Sequence, residues 1–255
     1  MTDKPAKAPA SSVETALSYG RAVVSTPIFL GTTLAFSAIA LGAAAAGSHR
    51  TIDGLIAVWS RLTLGLFNIR VDAAGLENVP PGRGCVFLFN HQSHMDIPVI
   101  HRTLDRTLRF GAKIELFKVP VFGQAMRAAG VLPITRDDPT AVFQVYKDAA
   151  ARFADGWSYI LAPEGTRQDE PRIGRFKKGP FRFAVDAQVP IVPIVLKGTI
   201  DVLPKHRLAI NAGRWSRTVS IRFLPPIETS GLTAADVPRL LEDVRERMVS
   251  VYQRL

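Results

Sequence analysis

The sequence predicts a layered α/β domain behind an N-terminal membrane-associated helical pair. Residues 22–48 contain no Lys, Arg, Asp or Glu, a span long enough to cross a bilayer core of about 30 Å as a helix. Beyond Gly75 the texture changes, and short apolar runs bounded by turns alternate with amphipathic stretches, as layered α/β domains require. At 255 residues, with 47% hydrophobic and 21% charged side chains, the chain is composed to order a core rather than remain disordered.

Taken in order, residues 1–20 read as a mobile tail, opening with the Ala/Pro-rich "MTDKPAKAPASS". Residues 21–70 read as the membrane-anchoring pair. Its first member contains Pro27 and is rich in Ala, Gly, Ser and Thr; its second, "LIAVWSRLTLGLF", is shorter and interrupted by Arg61. A buried hairpin of a soluble fold and a cleaved signal peptide compete with this reading, but the segment is too long for a signal peptide. The short second member favours shallow insertion over two full crossings, and Arg21, Arg50, Arg61 and Arg70 are spaced to meet lipid phosphates.

Residues 71–255 read as one α/β body without internal repeats. "CVFLF" (85–89), "SYILA" (158–162), "IVPIVL" (191–196) and "TVSIRFL" (218–224) are its expected strands. Asp138-Pro139 fits an N-cap with proline in the first helical position, and Val142, Val145, Ala149 and Phe153 then share one face. Thr233 and Asp236 mark the start of a C-terminal helix running through Leu240, Leu241, Val244 and Met248.

Net charge is +10, and its distribution is informative. Residues 1–80 carry 6 Lys/Arg against 5 Asp/Glu; residues 81–255 carry 26 against 17. The excess belongs to the body and points to anionic partners. Nucleic acid is disfavoured, because no zinc finger or RNP-like aromatic segment accompanies the charge. The single Cys85 excludes an intramolecular disulfide and a cysteine-rich zinc site.

The segment Asn90-His91-Gln92-Ser93-His94-Met95-Asp96 follows the first expected strand of the body. Imidazole and carboxylate so close together admit metal binding, proton transfer or a polar turn. On a continuous helix His91 and Asp96 would lie about 140° apart, so they meet only if the chain turns between strand and helix. Pro98 suits the first turn of such a helix, whose positive end would favour an ionised Asp96. Asp96 would hold one imidazole nitrogen and leave the other as a base. His49, His101 and His206 are scattered, and His91 with His94 lacks a clear third ligand, so no metal is expected. A G-x-S-x-G elbow is absent, and Cys85 reads as a core residue. A base without an enzyme nucleophile makes sense where the substrate supplies its own hydroxyl.

Three further blocks follow in order. "AKIELFKVPVFGQAMRAAGVLPITRDD" holds Lys113 and Arg136; "LAPEGTRQ" ends a strand in Glu164, Gly165, Thr166 and Arg167; "VPIVPI" covers 189–194. Gly165 permits close backbone approach, and the Arg167 fork suits phosphate. Lys177 and Lys178 precede an expected helix, but Gly179-Pro180 breaks the P-loop pattern.

Together the four blocks resemble the glycerolipid acyltransferase family, in particular bacterial 1-acyl-glycerol-3-phosphate acyltransferases, over residues 80–200. "NHQSHMD" matches its N-H-x-x-x-x-D block. One departure is Ala162, where the family commonly has an aromatic residue.

The resemblance implies an α/β layer domain seated on the bilayer by a helical pair. It implies transfer of an acyl chain from a thioester donor, acyl-CoA or acyl carrier protein, to a lysophospholipid hydroxyl, with no further cofactor. His91 is then the general base and Asp96 its orienting group. Glu164, Gly165, Thr166 and Arg167 form the acceptor pocket, with Lys113 and Arg136 near the phosphate. The implied location is a bacterial inner membrane with the catalytic domain on the cytoplasmic side. Other acceptors (glycerol-3-phosphate, another lysophospholipid, a lyso-aminolipid) and a non-catalytic lipid-binding protein remain open alternatives.

Overall fold

The computed structural model describes residues 11–135 and 137–255. Its first element, α1 (Ser12–Ala45), starts inside the segment expected to be tail, so residues 12–20 belong to the helix. The cause is local: Ser11 Oγ accepts from Glu14 N at 3.1 Å in a Ser-x-x-Glu start. Residues 1–10 of the expected tail lie outside the described residues.

With 34 residues, α1 is about 50 Å long. Gly47, at φ +68, turns the chain into α2 (His49–Leu66), which packs along α1. Trp59 Nε1 donates to Thr33 Oγ1 at 3.0 Å, and Phe29 lies between the Trp59 and Phe67 rings. Among the described residues, α1 is the one helix long and apolar enough to cross a membrane. The fold does not bury it, for Val13, Leu17, Val23, Val24, Leu30 and Leu34 are exposed.

The body is built on seven strands: β1 (Ile69–Ala74), β2 (Val86–Phe89), β3 (Leu108–Lys113), β4 (Leu132–Ile134), β5 (Ser158–Leu161), β6 (Ile191–Lys197) and β7 (Arg217–Phe223). Their order is β1-β7-β6-β2-β5-β3-β4, parallel at every pairing except β6 with β7. The central strands β2, β5 and β6 are apolar runs because both their faces are covered. One core forms between the sheet and α2 with α3 (Asp96–Thr103). The other forms under α5 (Pro139–Ala150), α6 (Gly179–Asp186) and α8 (Val237–Arg254). The remaining short helices are α4 (Phe122–Ala128), against α1, and α7 (Thr199–Val202).

All four expected strands form, as do the helices starting at Asp138-Pro139 and beyond Thr233. Asp138 caps α5 by accepting from Ala141 N, while Asp236 accepts from Thr233 N and Oγ1 ahead of α8. β1, β3 and β4 were not apparent from sequence. β1 is an edge strand with an exposed face, β4 has only three residues, and β3 interrupts its apolar run with Arg109 and Gly111.

Arg109 is almost wholly buried and ties the helical pair to this sheet. Its Nη1 lies 2.5 Å from Asp53 Oδ1 of α2, and Thr107 Oγ1 donates to Asp53 Oδ2 at 2.6 Å. The guanidinium also stacks 4.6 Å from the Trp157 ring centroid, a cation–π contact. Removing one partner of such a pair leaves a buried charge without compensation. Asp53→Ala is therefore expected to cost about 3 kcal/mol, read as a lower thermal midpoint of the detergent-solubilised chain. An unchanged midpoint would show that the pair does not fasten α2.

Candidate active site

β2 is the middle strand of seven, and its carboxyl end delivers Asn90 and His91 to the crevice where open α/β sheets place their ligands. The chain then turns through Gln92-Ser93 and enters α3 at Asp96. That turn brings His91 Nδ1 within 2.8 Å of Asp96 Oδ2. The same oxygen accepts from Gln92 N at 2.9 Å and Ser93 N at 3.0 Å. Asp96 is fully buried at the helix start, with the two amides of the turn directed at its side chain. Donation from Nδ1–H to Asp96 fixes the tautomer that leaves Nε2 unprotonated. Nε2 makes no hydrogen bond to the described residues, and the His91 side chain retains 16% exposure. An imidazole nitrogen is thus presented at the surface from a buried, fixed root.

The motif's other residues fasten the turn. Asn90 exchanges two 2.8 Å bonds with the Leu196 backbone of β6. Gln92 Nε2 donates to the Tyr252 hydroxyl of α8 at 2.7 Å, and Ser93 Oγ donates to Leu203 O at 2.9 Å. Sequence reasoning assigned none of these roles, although Asn90, Gln92 and Ser93 lie within the motif. Tyr252, 160 residues away, gives no local signal. His94 is at the surface. Desolvation within the turn, with Arg167 and His91 nearby, brings its imidazole down to about 4, so it is uncharged at neutral pH.

β5 lies beside β2 and brings the Pro-Glu-Gly-Thr-Arg turn to the same edge. Glu164 points inward and is buried. Its Oε2 accepts from His91 N at 2.9 Å, and its Oε1 accepts from Gly174 N at 2.7 Å. Gln168 N donates to His91 O at 2.9 Å, so the β5 turn holds the backbone of the base from both sides. The structure therefore places Glu164 behind His91 rather than in an open pocket. Gly165 adopts φ +70, and a Cβ there would meet Lys177 Cε at 3.0 Å. Lys177 thus covers the turn, a placement that sequence spacing left undecided. Thr166 is exposed, and Arg167 is half-buried beside His94.

Lys113 ends β3 and pairs with Glu115 at 3.1 Å, both half exposed; no hydrogen bond joins it to the His91–Asp96 pair. Arg136 lies outside the described residues. Cys85 is buried, and desolvation raises its thiol above the ordinary range, as befits a core residue. Among the described residues no group of three His, Cys, Asp or Glu side chains is placed to hold a metal ion. A cavity of about 430 Å³ opens between α5, α6 and the β5 turn, lined by Val142, Phe143, Tyr146, Ala162, Gly165 and Lys177 among others.

The family model described as Acyltransferase matches residues 70–197, half of the chain, including the His91–Asp96 turn and the Pro-Glu-Gly-Thr-Arg turn. The chain belongs to the acyltransferase family. It is 38% identical, over 58% of its length, to the chloroplastic 1-acyl-sn-glycerol-3-phosphate acyltransferase BAT2 of Brassica napus. It is 34% identical, over 74% of its length, to the human 1-acyl-sn-glycerol-3-phosphate acyltransferase alpha. The matches take in 42% and 66% of those two proteins, less than two thirds of either. The crystal structure of the 1-acyl-sn-glycerophosphate acyltransferase PlsC from Thermotoga maritima superposes with a TM-score of 0.74 at 22% identity. That superposition covers 94% of this chain and 97% of PlsC, so the acyltransferase fold extends to both N-terminal helices.

Two outcomes test this geometry. Asp96→Asn removes the charge that fixes the imidazole tautomer, and kcat at neutral pH is expected to fall by roughly 10³–10⁴; a loss below tenfold would dissociate Asp96 from the base. Burial pushes the Glu164 carboxyl from 4.5 up to about 7, outweighing its two amide hydrogen bonds. The native state then holds a proton that the unfolded chain has released. Stability from this group is complete below 4.5 and declines as pH rises to about 7. Unfolding midpoints of the wild type minus those of Glu164→Gln should fall across that window; a flat difference would refute the assignment.

Proposed function

We propose that this chain transfers a fatty acyl group from a thioester donor, acyl-CoA or acyl carrier protein, to the free hydroxyl of 1-acyl-sn-glycerol-3-phosphate, giving phosphatidate. The observation that carries the reading is the His91–Asp96 pair, with Nε2 open at the sheet's carboxyl edge and the sole cysteine buried in the core. His91 Nε2 takes the acceptor hydroxyl's proton as its oxygen bonds to the thioester carbonyl carbon. The carbon–sulfur bond then breaks, and the leaving thiolate recovers the proton from the imidazolium. A thioester is already activated, and a positioned base adds roughly 10²–10⁴ in rate.

Arg167 supplies the planar fork for the acceptor phosphate, with Gly165 and Thr166 on the same turn, Lys177 over it, and Arg136 and Lys113 as further cations. Glu164 serves the reaction by holding the His91 backbone. The relatives' names support the acceptor, and the exposed apolar face of α1 supports a monotopic seat on one leaflet, with the catalytic body on the cytoplasmic side of a bacterial inner membrane.

Purified protein offered a panel of lysolipids, with each donor class and products identified by mass, should yield phosphatidate. His91→Ala should abolish transfer with the circular-dichroism spectrum unchanged; retained activity would end the mechanism. Arg167→Ala should raise KM for phosphate-bearing acceptors by roughly tenfold or more while sparing kcat; an unchanged KM would remove Arg167 from the pocket.

A further inference from the structure

Between α7 and β7 the chain makes an irregular excursion, "KHRLAINAGRWS" over residues 205–216, that the reading above does not use. Two of its side chains are apolar, large and outside the core. Leu208 is 87% exposed, more than any other large hydrophobic residue among those described, and Trp215 is 48% exposed. Side chains of this kind usually mark an interaction site when they are contiguous with a larger apolar surface.

That surface is α1. Its first turns grip the excursion from beneath: Ser18 Oγ accepts from Gly213 N at 2.8 Å, and Glu14 Oε1 accepts from Trp215 N at 3.0 Å. Arg21 donates to the carbonyls of Asn211 at 2.9 Å, Arg214 at 3.1 Å and Trp215, and lies 4.8 Å from the Trp215 ring centroid. Buried Ile210 and Asn211 root the loop, the latter donating to Phe67 O at 2.6 Å. Trp215 is therefore held against the first turns of α1, the helix that exposes Val13, Leu17, Val23 and Val24, and Leu208 projects from the same rooted loop.

The loop's own charges have one sign, although Glu14 of α1 lies against the Trp215 amide and Asp169 pairs with Lys205 at 3.0 Å. Residues 205–217 include Lys205, Arg207, Arg214 and Arg217 and no Asp or Glu. Tryptophan with arginine at the margin of an apolar surface matches a bilayer interface, where the indole sits at headgroup depth and cations are drawn to anionic lipid.

We propose that residues 205–216 are a second membrane contact, an apolar and cationic loop that extends the seat of α1 onto the α/β body and meets anionic lipid headgroups. This deepens the membrane reading above and rests on it. The contact also bears on catalysis, because Ser93 of the catalytic turn donates to Leu203 O, two residues before the loop. Loop, first helix and base are thereby fixed to one another, so the depth of Leu208 and Trp215 in the leaflet sets the height of His91 above it.

The test uses the full chain in vesicles. Cys85 is the sole cysteine and is buried, so Leu208→Cys accepts a polarity-sensitive fluorophore selectively; Glu246→Cys, on the exposed side of α8, is the control. In phosphatidylglycerol-containing vesicles the Leu208→Cys label should shift to the blue and be quenched by lipid-borne nitroxide, while the control stays unshifted. Quenching no stronger than the control would overturn the proposal. A shift with acidic carrier protein that vesicles do not produce would also overturn it, assigning the loop to a protein. Leu208→Asp should lower transfer to vesicle-borne acceptor while leaving transfer to a dispersed short-chain acceptor unchanged; equal loss on both would refute the depth role. The label reports whether or not the chain transfers acyl groups, so failure of the catalytic reading and failure of the contact are distinguishable.

Discussion

A single buried oxygen, Asp96 Oδ2, organises the site. It accepts from the imidazole of His91 and from two successive backbone amides, so moving the carboxylate would break three bonds together. A carboxylate out of contact with water is tolerated only where donors replace its hydration. Here the tight turn supplies those donors to Oδ2 and the helix start a favourable field, while Oδ1 is buried with no hydrogen-bond partner among the described residues. One backbone conformation both supplies the donors to Oδ2 and aims His91, so turn, imidazole and helix form one rigid unit.

The surrounding fold protects that conformation. β5 and β6 flank β2 and fasten Asn90 and His91 through Glu164, Gln168 and Leu196, while α8 and the segment after α7 hold Gln92 and Ser93. Structural and chemical roles are closely interleaved. Glu164, adjacent to residues assigned to substrate, spends its carboxylate on two backbone amides. Those two bonds offset part of its cost of burial and hold the His91 backbone in place.

Besides the packing of α2 on α3 and of α4 on α1, two polar attachments of different chemistry fasten the helical pair to the body. Near the start of α2 the buried Arg109 engages Asp53, whereas near the start of α1 Arg21, Glu14 and Ser18 engage backbone groups of the loop before β7. Two separated attachments fix the orientation of an elongated pair where one would leave a hinge. The exposed apolar face of α1 thus keeps a set relation to the edge of the sheet that carries His91.

The sequence by itself determined the order of the chemistry and the layered fold. Continuous apolar runs announce central strands, since a strand covered on both faces has no polar side to show, and for His91 and Asp96, five positions apart, to meet demands a turn. The apolar span of α1 is equally plain, because charge absence over that length is a property of the chain alone. Tertiary structure alone decided what each polar group faces. Glu164 could read as a pocket residue until the β5 turn was laid beside β2, and Tyr252 gains its role only because α8 returns beneath residues 160 positions earlier. β1, β3 and β4 were hidden because edge and polar-interrupted strands take their pairing from neighbours rather than from their own periodicity. Periodicity is local and survives in one dimension; hydrogen-bond partnership across distant segments exists only in three.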